Sequence, residues 1–361
     1  MKSDYLIKAI LDPSITSKSI DSEELDKLIN HAEKHRIKQI FLDKVSCKKD
    51  RRKKYHEQTE IYTRYSLTRD LNISEEIANL IRIFKTIDLE FVFLKGSAFK
   101  KTLYEVSYHR DCRDIDILIN ELDIPKTLEI LFSHGYKYLV SPESNNVTHD
   151  LSGTHQMPVL VSPNGQYVEL HFRITMEDSE CKLSKDMLKN HVDNVAPKFL
   201  NFIHVAYHAL VMNRLNNGLM ALIDIHYLLE NEEASKLIKQ SKQYNLDKVC
   251  EHMISLYEVN KSMDTYDLTV SPLLENSNTL IHAGEKLVPF KTNILNLKSS
   301  VDKFYKKYIG ENKRDHEKKI SYWNLFNYVI QKFYFHIKSV ALYPILWIKR
   351  NKLKKFLSQK I

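Results

Sequence analysis

The sequence predicts an α+β fold, in which a small group of strands lies between two longer helical regions. The strands are indicated by short apolar runs near positions 91, 115 and 168, which suit buried strands better than helices. The helices are indicated by the scarcity of turn formers, since the 361 residues include only 7 glycines and 9 prolines. We expect four parts: a helical region at 1–88, a strand-containing core at 89–178, a helical domain at 179–320 and a basic, aromatic tail at 321–361.

The net charge of +8 is concentrated at one end of the chain. Eight of the 54 basic residues and no acidic residue lie between Gln331 and Ile361, and the other 46 basic residues balance the 46 acidic ones. A body without excess charge gives no evidence for binding to nucleic acid. The tail accounts for the whole basic excess, and we expect no specific nucleic-acid partner.

Cysteine usage and the N-terminus both predict a cytoplasmic protein. The four cysteines lack the CxxC spacing of a zinc site and the density of a disulfide framework, and they suit a reducing compartment: Cys47, Cys112, Cys181 and Cys250. The apolar run at the N-terminus is short and is broken by Lys8, so it does not predict a secretory signal.

The first helical region begins with a recognisable start signal. Asp21 followed by Glu24 predicts the capped start of a helix. Further along, Ser74 is predicted to cap another helix, whose apolar stripe would comprise Ile77, Leu80, Ile81 and Phe84.

A basic run at 48–54 precedes Tyr55, Tyr62 and Tyr65. One interpretation is a nucleic-acid patch with stacking tyrosines. The other is a solvated helix face, which we favour because the tyrosines trail the basic run and no RNA-binding motif surrounds it.

The strand from Phe91 to Leu94 leads directly into Lys95, Gly96 and Ser97, and no glycine precedes Gly96 in the chain. Glycine lets the backbone approach a ligand closely, and a helix starting here would direct free N–H groups at an anion. The pattern therefore predicts a phosphate-binding turn, although a plain turn at a strand end has the same signature.

The next apolar run, 114–119, begins with two carboxylates in the order Asp-x-Asp. Alternation along a strand puts Asp114 and Asp116 on one face, with Ile115 and Ile117 on the other. Two carboxylates about 6–7 Å apart on one strand repel each other unless a cation lies between them. Mg²⁺ suits such a pair, because it prefers one or two carboxylates together with substrate phosphates. An exposed strand end is the alternative interpretation.

A helix capped by Asp123, with Pro125 in its first turn, is predicted to end at Gly135. After it, Asn164-Gly165 between two apolar runs predicts a β-hairpin. The second strand of this hairpin carries Glu169 and His171 on one face. A carboxylate in the middle of such a strand needs a partner, and the predicted metal site is a candidate.

The helical domain carries His204 and His208 at i, i+4 spacing, followed by Asp224 on the next helix. The spacing is half of a zinc motif, but HVAYH lacks the glutamate of HExxH. We therefore expect these residues to shape a pocket or to pack the helical domain, with zinc as a minor alternative.

Several strings together resemble the nucleotidyltransferase superfamily that includes DNA polymerase β, and within it the bacterial family of uncharacterised nucleotidyltransferases. The resemblance covers roughly residues 75 to 230. Its strings are LKGSAF from Leu94, the arginine Arg110, DIDILI from Asp114, HQMPVL from His155 and VELHF from Val168.

The resemblance implies a small mixed sheet flanked by helices and a two-metal site. Asp114, Asp116 and Glu169 would hold Mg²⁺, and Glu169 could alternatively act as the general base for an acceptor hydroxyl. The triphosphate would be bound by four residues: Lys95, Gly96, Ser97 and Arg110. His171 is expected at the substrate site, where it would orient Glu169; a hydrogen-bonded core histidine is the alternative. Arg113 is expected to form an ordinary surface ion pair. Sixteen residues separate Ser97 from Asp114, more than in compact members of the superfamily.

The implied function is transfer of an NMP group from an NTP such as ATP to a hydroxyl of an unidentified acceptor, either a small molecule or a protein. A nucleotide-binding regulatory module without catalysis is one alternative, but the intact carboxylates speak against it. A transferase acting on RNA ends is another, and the balanced charge of the body argues against that.

The tail combines aromatic residues with the basic excess. Its longest uncharged run, Ser339 to Ile348, is about half the length that a membrane-spanning helix needs. Basic residues flank this run, and Tyr343 and Trp347 suit an interface. We expect either a peripheral contact with anionic lipid at the inner face of the membrane or a helix packed against the body.

Overall fold

The computed structural model describes residues 5–45, 52–139, 154–175, 182–216, 218–262, 277, 280 and 342–357. Within these residues, a five-stranded mixed sheet is surrounded by helices, which confirms the predicted α+β class. The strands are β1 (Phe91–Phe93), β2 (Asp114–Ile119), β3 (Lys137–Tyr138), β4 (Leu160–Val161) and β5 (Tyr167–His171). The predicted boundaries at 178 and 321 lie outside the described residues, and the division into four parts stays a prediction.

The strand order is β1-β2-β5-β4-β3. Strands β2 and β5 run parallel, and the other neighbouring pairs are antiparallel. The register pairs Asp116 with Glu169, and residues paired in this way present their side chains on the same face. The sheet thus places two carboxylates side by side that are far apart in the sequence.

The predicted hairpin is formed by β4 and β5. Gly165 adopts a positive φ of 79° in its turn, and the N–H of Gly165 donates to the carbonyl of Ser162 at 2.9 Å. A left-handed conformation favours glycine because an L side chain there clashes with the backbone. The Asn-Gly signal therefore located this turn correctly.

Four helices precede the sheet: α1 (Tyr5–Leu11), α2 (Ser22–Lys34), α3 (Lys38–Lys44) and α4 (Lys53–Lys85). The cap predicted for α2 is confirmed, because Asp21 Oδ1 accepts the N–H of Glu24 at 3.0 Å. The cap predicted at Ser74 is wrong, because Ser74 lies inside α4, a helix of 33 residues that begins at Lys53. Ser74 Oγ instead accepts a hydrogen bond from the fully buried Lys100 at 3.0 Å, so a tertiary contact outweighs the local capping preference.

The first turns of α4 include the end of the basic run at 48–54, and their contacts bear on its two interpretations. Tyr55 is buried, and its hydroxyl donates to the carbonyl of Ser22 at 2.9 Å, so it offers no ring for stacking. Lys54 pairs with Asp26 at 2.7 Å, whereas the Lys53 side chain is exposed. The part of the run at 48–51 lies outside the described residues. This arrangement agrees with the solvated face rather than a nucleic-acid patch.

The remaining helices are α5 (Lys95–Thr102), α6 (Ile124–Ser133), α7 (Lys182–Lys189), α8 (Lys198–Tyr207), α9 (Met220–Leu229), α10 (Ala234–Ser241), α11 (Asp247–Ser262) and α12 (342–357). Pro125 lies in the first turn of α6 as predicted. Asp123 occupies the cap position, but its side chain makes no capping hydrogen bond. Asn120 accepts from the N–H of Leu122 instead, at 3.0 Å, because a short 3-10 turn precedes the helix.

One apolar core connects the helical regions with the sheet. Helix α1 packs against α3 and α11, and α8 packs against α9 and α11, so the N-terminal helices and the later helical domain share this core. Burial of each large side chain, such as Phe41, Leu80 or Phe202, contributes about 1.5–3 kcal/mol. The packing places α8 and α9 opposite the N-terminal end of β2, which carries Asp114 and Asp116. In the part of the chain that the structure describes, no helix has the length and apolar character needed to span a bilayer.

Candidate active site

The centre of the site is the buried carboxylate of Asp116 on β2. Its side chain is only 3% exposed. Lys95 Nζ donates to Asp116 Oδ1 at 2.7 Å, and His171 Nε2 lies 2.9 Å from the same oxygen. Burial alone would raise the pKa of Asp116, but Lys95 and His171 outweigh burial and hold that pKa well below its usual value. Asp116 is therefore a fixed negative charge.

Glu169 and His171 of β5 complete a group of metal-ligand type around Asp116. One ligand atom from each of these three residues lies within 4.8 Å of the others, the only such group among the described residues. His171 Nε2 lies 3.7 Å from Glu169 Oε2, farther than from Asp116. His171 was expected to orient Glu169; its shorter contact is with Asp116, because the parallel register brings β2 within its reach.

Asp114, the third predicted ligand, lines the same cavity one step along the strand face. Burial and the neighbouring Asp116 raise the pKa of Asp114. Burial, followed by Asp116, raises the pKa of Glu169 to about 7. Burial is the larger cause of both shifts, and the negative charge of Asp116 adds to it.

The donor set fits a divalent cation of the Mg²⁺ kind. Asp114, Asp116 and Glu169 offer carboxylate oxygens, the ligands that Mg²⁺ prefers. Lys95 pairs directly with Asp116 at 2.7 Å, and a divalent cation would add positive charge beside the other two carboxylates. The imidazole of His171 is hydrogen-bonded to Asp116 and can hold that carboxylate in a fixed orientation.

Helix α5 begins at the predicted glycine turn. Lys95, its first residue, has a φ of 48°, which is uncommon for a residue with a side chain. A Cβ on Gly96 would lie 3.0 Å from Cys112 Sγ and 3.2 Å from Arg110 Nη1. Glycine therefore allows closer packing against Arg110 and Cys112 than a residue with a Cβ, which would make these side chains shift. Both Lys95 and Gly96 line the cavity.

The Ser97 side chain turns away from the cavity. It is buried, and its hydroxyl lies 2.7 Å from the carbonyl of Leu94 and 3.1 Å from the carbonyl of Asp116. This hydroxyl fixes the end of β1 to β2. Its role as a triphosphate ligand stays a prediction without support in this geometry, whereas the backbone of the first helical turn remains beside the cavity.

Arg110, the other predicted phosphate ligand, forms a buried ion pair with Asp224. Its Nε and Nη2 atoms each donate to Asp224 at 2.8 Å, and the hydroxyl of Tyr104 donates to the same carboxylate at 2.6 Å. Asp224 thereby raises the pKa of Arg110 despite the opposing effect of burial. Asp224 is therefore functional at least in holding Arg110 at the cavity wall. Arg113 forms the expected surface ion pair, with Asp111 at 3.0 Å.

Three further histidines lie near the carboxylates. Burial, assisted by nearby positive charge, lowers the pKa of His155 to about 4 and that of His204 to about 3, and it holds the pKa of His208 well below its usual value. These rings are neutral at physiological pH. His155 and His208 line the cavity, whereas His204 is buried. No described residue completes a zinc site around His204 and His208.

The cavity has a volume of about 460 Å³, within the range of small-molecule sites. One wall comes from the sheet and α5. The facing wall comes from α8, α9 and the segment between them, and it includes Met212, Asn213 and Met220. Sequence reasoning missed these three residues and Arg36, which also lines the cavity. No motif distinguishes them, and only the Asn216-Asn217-Gly218 turn signal indicates where α8 and α9 separate.

The mixed five-stranded sheet, with β2 and β5 parallel and helices around it, is consistent with a nucleotidyltransferase-type α+β fold. The chain belongs to the family described as uncharacterised nucleotidyltransferase, whose model matches residues 21–259. This match begins well before the resemblance found at 75–230, so it includes α2, α3 and α4. No curated protein and no solved structure matches the chain.

Proposed function

We propose that the protein is a Mg²⁺-dependent nucleotidyltransferase that moves an NMP group from an NTP to a hydroxyl of a small molecule or protein. The observation that carries this proposal is the pairing of Asp116 with Glu169 in register on β2 and β5. Lys95 and Gly96 lie in the same cavity. Family membership supports nucleotidyl transfer as the general class.

Asp114, Asp116 and Glu169 would hold the metal through their carboxylate oxygens. When bound, Mg²⁺ supplies positive charge that stabilises the triphosphate and lowers the pKa of the attacking hydroxyl. Lys95 and the N–H groups at the start of α5 bind phosphate oxygens. The His171 imidazole, 2.9 Å from Asp116, positions that carboxylate.

In the reaction, the acceptor oxygen attacks the α-phosphorus in line. A new oxygen–phosphorus bond forms, the bond from the α-phosphorus to the bridging oxygen breaks, and pyrophosphate leaves. The hydroxyl proton needs an acceptor near neutral pH. Glu169 is the candidate for this role in the alternative in which it acts as general base instead of binding the metal.

The test is transfer of label from an NTP to an acceptor in cell extract. Purified protein is incubated with extract, Mg²⁺ and each of the four common NTPs, labelled at either the α or the γ phosphorus. Label retained from the α position alone is expected, and an Asp114→Asn variant should retain none. RNase and protease treatment of the product then distinguishes an RNA acceptor from a protein acceptor.

Two results would contradict the proposal. Retention of γ label would indicate a kinase. Binding of NTP without any transfer, in extracts that contain the acceptor classes named above, would favour the regulatory module without catalysis.

A further inference from the structure

The helical wall of the cavity differs in chemistry from the sheet wall. Its lining side chains are mainly apolar, with one amide and one imidazole among them: Val205, His208, Ala209, Met212, Asn213, Met220 and Ala221. Asp224, at its edge, is neutralised by Arg110, and burial keeps His208 uncharged. The sheet wall, by contrast, carries the carboxylates and Lys95. One cavity thus joins a charged surface to a neutral one.

The backbone of the helical wall is unusual at the same place. A π-helical turn, His208–Met212, follows α8 directly, and such turns occur frequently at functional sites. Beyond Asn213, Arg214 and Leu215 both adopt positive φ angles, 47° and 61°. Two consecutive non-glycine residues in this region of backbone conformation are unfavourable on their own. The surrounding structure must therefore hold this segment in place.

Contacts from helix α12 and a hydrogen bond within the segment 208–216 hold these residues in place. Arg350 of α12 is buried, and its guanidinium donates to the carbonyl of Arg214 and to Asn216 Oδ1, both at 3.2 Å. Within the turn, the N–H of Leu215 donates to the carbonyl of Ala209 at 2.7 Å. Contacts on the far side of the segment thus fix the conformation that brings Asn213 to the cavity.

We propose that the helical wall binds the base of the nucleotide, and that this base is adenine. This inference rests on the proposed function, because the triphosphate of the same molecule would lie at the sheet wall. The two walls match the two halves of an NTP: a neutral planar base and a charged triphosphate. The volume of about 460 Å³ suits one such ligand.

Asn213 is the residue assigned to base recognition. Its Nδ2 lies 3.0 Å from His208 Nδ1, and a side-chain amide has a second donor and a carbonyl acceptor besides. Adenine presents the complementary pair, the N6 amino group and the N7 acceptor, which Asn binds with two hydrogen bonds. Met212 and Met220 offer polarisable sulfur atoms, which make favourable contacts with aromatic rings.

The experiment compares ligands with and without a base by isothermal titration calorimetry of the full-length protein in Mg²⁺. The probes are the α,β-methylene analogues of ATP and GTP, which resist cleavage at the α-phosphorus, and inorganic tripolyphosphate. The proteins are the wild type, Asn213→Ala, Asn213→Asp and a control, Asn190→Ala, at an exposed position away from the cavity. Thermal denaturation of each variant verifies folding.

We expect the wild type to bind the ATP analogue more tightly than the GTP analogue or tripolyphosphate. Asn213→Ala should weaken the ATP analogue about tenfold, as expected for loss of two hydrogen bonds, and leave tripolyphosphate unchanged. Asn213→Asp keeps the side-chain shape but places a carboxylate oxygen opposite N7, which repels it. This variant should weaken binding of the ATP analogue at least as much as Asn213→Ala does. Asn190→Ala should behave as the wild type.

Three results would overturn the base site. In the first, the wild type binds tripolyphosphate as tightly as the ATP analogue. In the second, Asn213→Asp folds and binds the ATP analogue normally. In the third, the GTP analogue binds more tightly than the ATP analogue. Each of these leaves the proposed function standing, whereas a wild type that binds no triphosphate at all contradicts both proposals.

Discussion

The guanidinium of Arg110 and the carboxylate of Asp224 form two parallel hydrogen bonds of 2.8 Å each. This pair joins the segment before β2 to helix α9, and both side chains are nearly inaccessible to solvent. Because the two residues line the cavity, the contact sets the separation between its sheet wall and its helical wall.

Breaking this pair should destabilise the fold. In Asp224→Ala, Arg110 loses its compensating charge in a buried site, and we expect the free energy of unfolding to fall by about 3–5 kcal/mol. Urea denaturation measures the change. Arg113→Ala is the matched control, because the Arg113 side chain is about half exposed and its partner Asp111 keeps its ion pairs with Arg36 and Arg69; such exposed pairs contribute about 0–1 kcal/mol. Equal costs for the two variants would contradict a structural role for the buried pair.

Asp114→Asn and Asp116→Asn should both abolish transfer, yet they should differ in stability. Removal of the Asp114 charge relieves repulsion, so that variant should be as stable as the wild type or more stable. Removal of the Asp116 charge leaves the partly buried Lys95 without its closest partner and should cost about 3 kcal/mol. Label transfer and metal-free urea denaturation measure the two effects. Near-normal turnover in either variant would contradict its assignment as a metal ligand.

Glu169 predicts a pH dependence of stability in the metal-free protein. Its pKa in the fold is about 7, above the ordinary 4.5, so the folded state binds this proton more tightly than the unfolded state. The resulting stabilisation is complete below about pH 4.5 and is lost as the pH rises to about 7. Relative to Glu169→Gln, which stays neutral, the wild type should therefore lose about 2 kcal/mol across this window.

Denaturation at a series of pH values measures this difference. The control is Glu129→Gln, at an exposed position on α6. The difference in free energy of unfolding between this variant and the wild type should not change between pH 4.5 and 7 as it does for Glu169→Gln. A constant difference between the wild type and Glu169→Gln from pH 4.5 to 7 would show that the Glu169 carboxyl titrates normally. Glu169→Gln should also slow transfer sharply and weaken Mg²⁺ binding.

Helix α12 allows a sharper test of the predicted membrane contact. Leu353 and Leu357 pack inward, whereas Ile345, Trp347 and Ile348 are about half exposed. Removing the whole tail would also remove the buried contacts of Arg350, so substitutions on the exposed face are preferable. We expect the wild type to co-sediment with anionic vesicles at low salt, and the double variant Trp347→Ser, Ile348→Ser to remain in solution.

The control for this test is Leu122→Ser, which removes an apolar side chain that is more exposed (87%) than Trp347 or Ile348 and is distant from α12 in the sequence. Leu122→Ser should not alter vesicle binding. The wild type should not co-sediment with neutral vesicles, and high salt should release it from anionic ones. If the wild type fails to bind anionic vesicles, the exposed face has no membrane role and the helix serves only to pack against the body.

Much of the site could be predicted from local patterns. The strand leading into Gly96, the Asp-x-Asp run and the Asn-Gly hairpin each depend on neighbouring residues, because strand alternation and turn conformation are set within a few positions. The cap at Asp21 was predicted for the same reason. The cap at Ser74 was wrong because Lys100, distant in sequence, binds this serine within a longer helix.

Local patterns were sufficient to predict the α+β class, the glycine turn and which carboxylates lie on the sheet face. Contacts between distant segments were needed to show that Asp116 pairs with Glu169, that His171 contacts Asp116, and that Ser97 turns inward. It also decided that Arg110 meets Asp224 and that α12 supports the segment around Asn213. These contacts join residues 19 to 136 positions apart, and such pairings depend on strand register and helix packing, which no local pattern specifies.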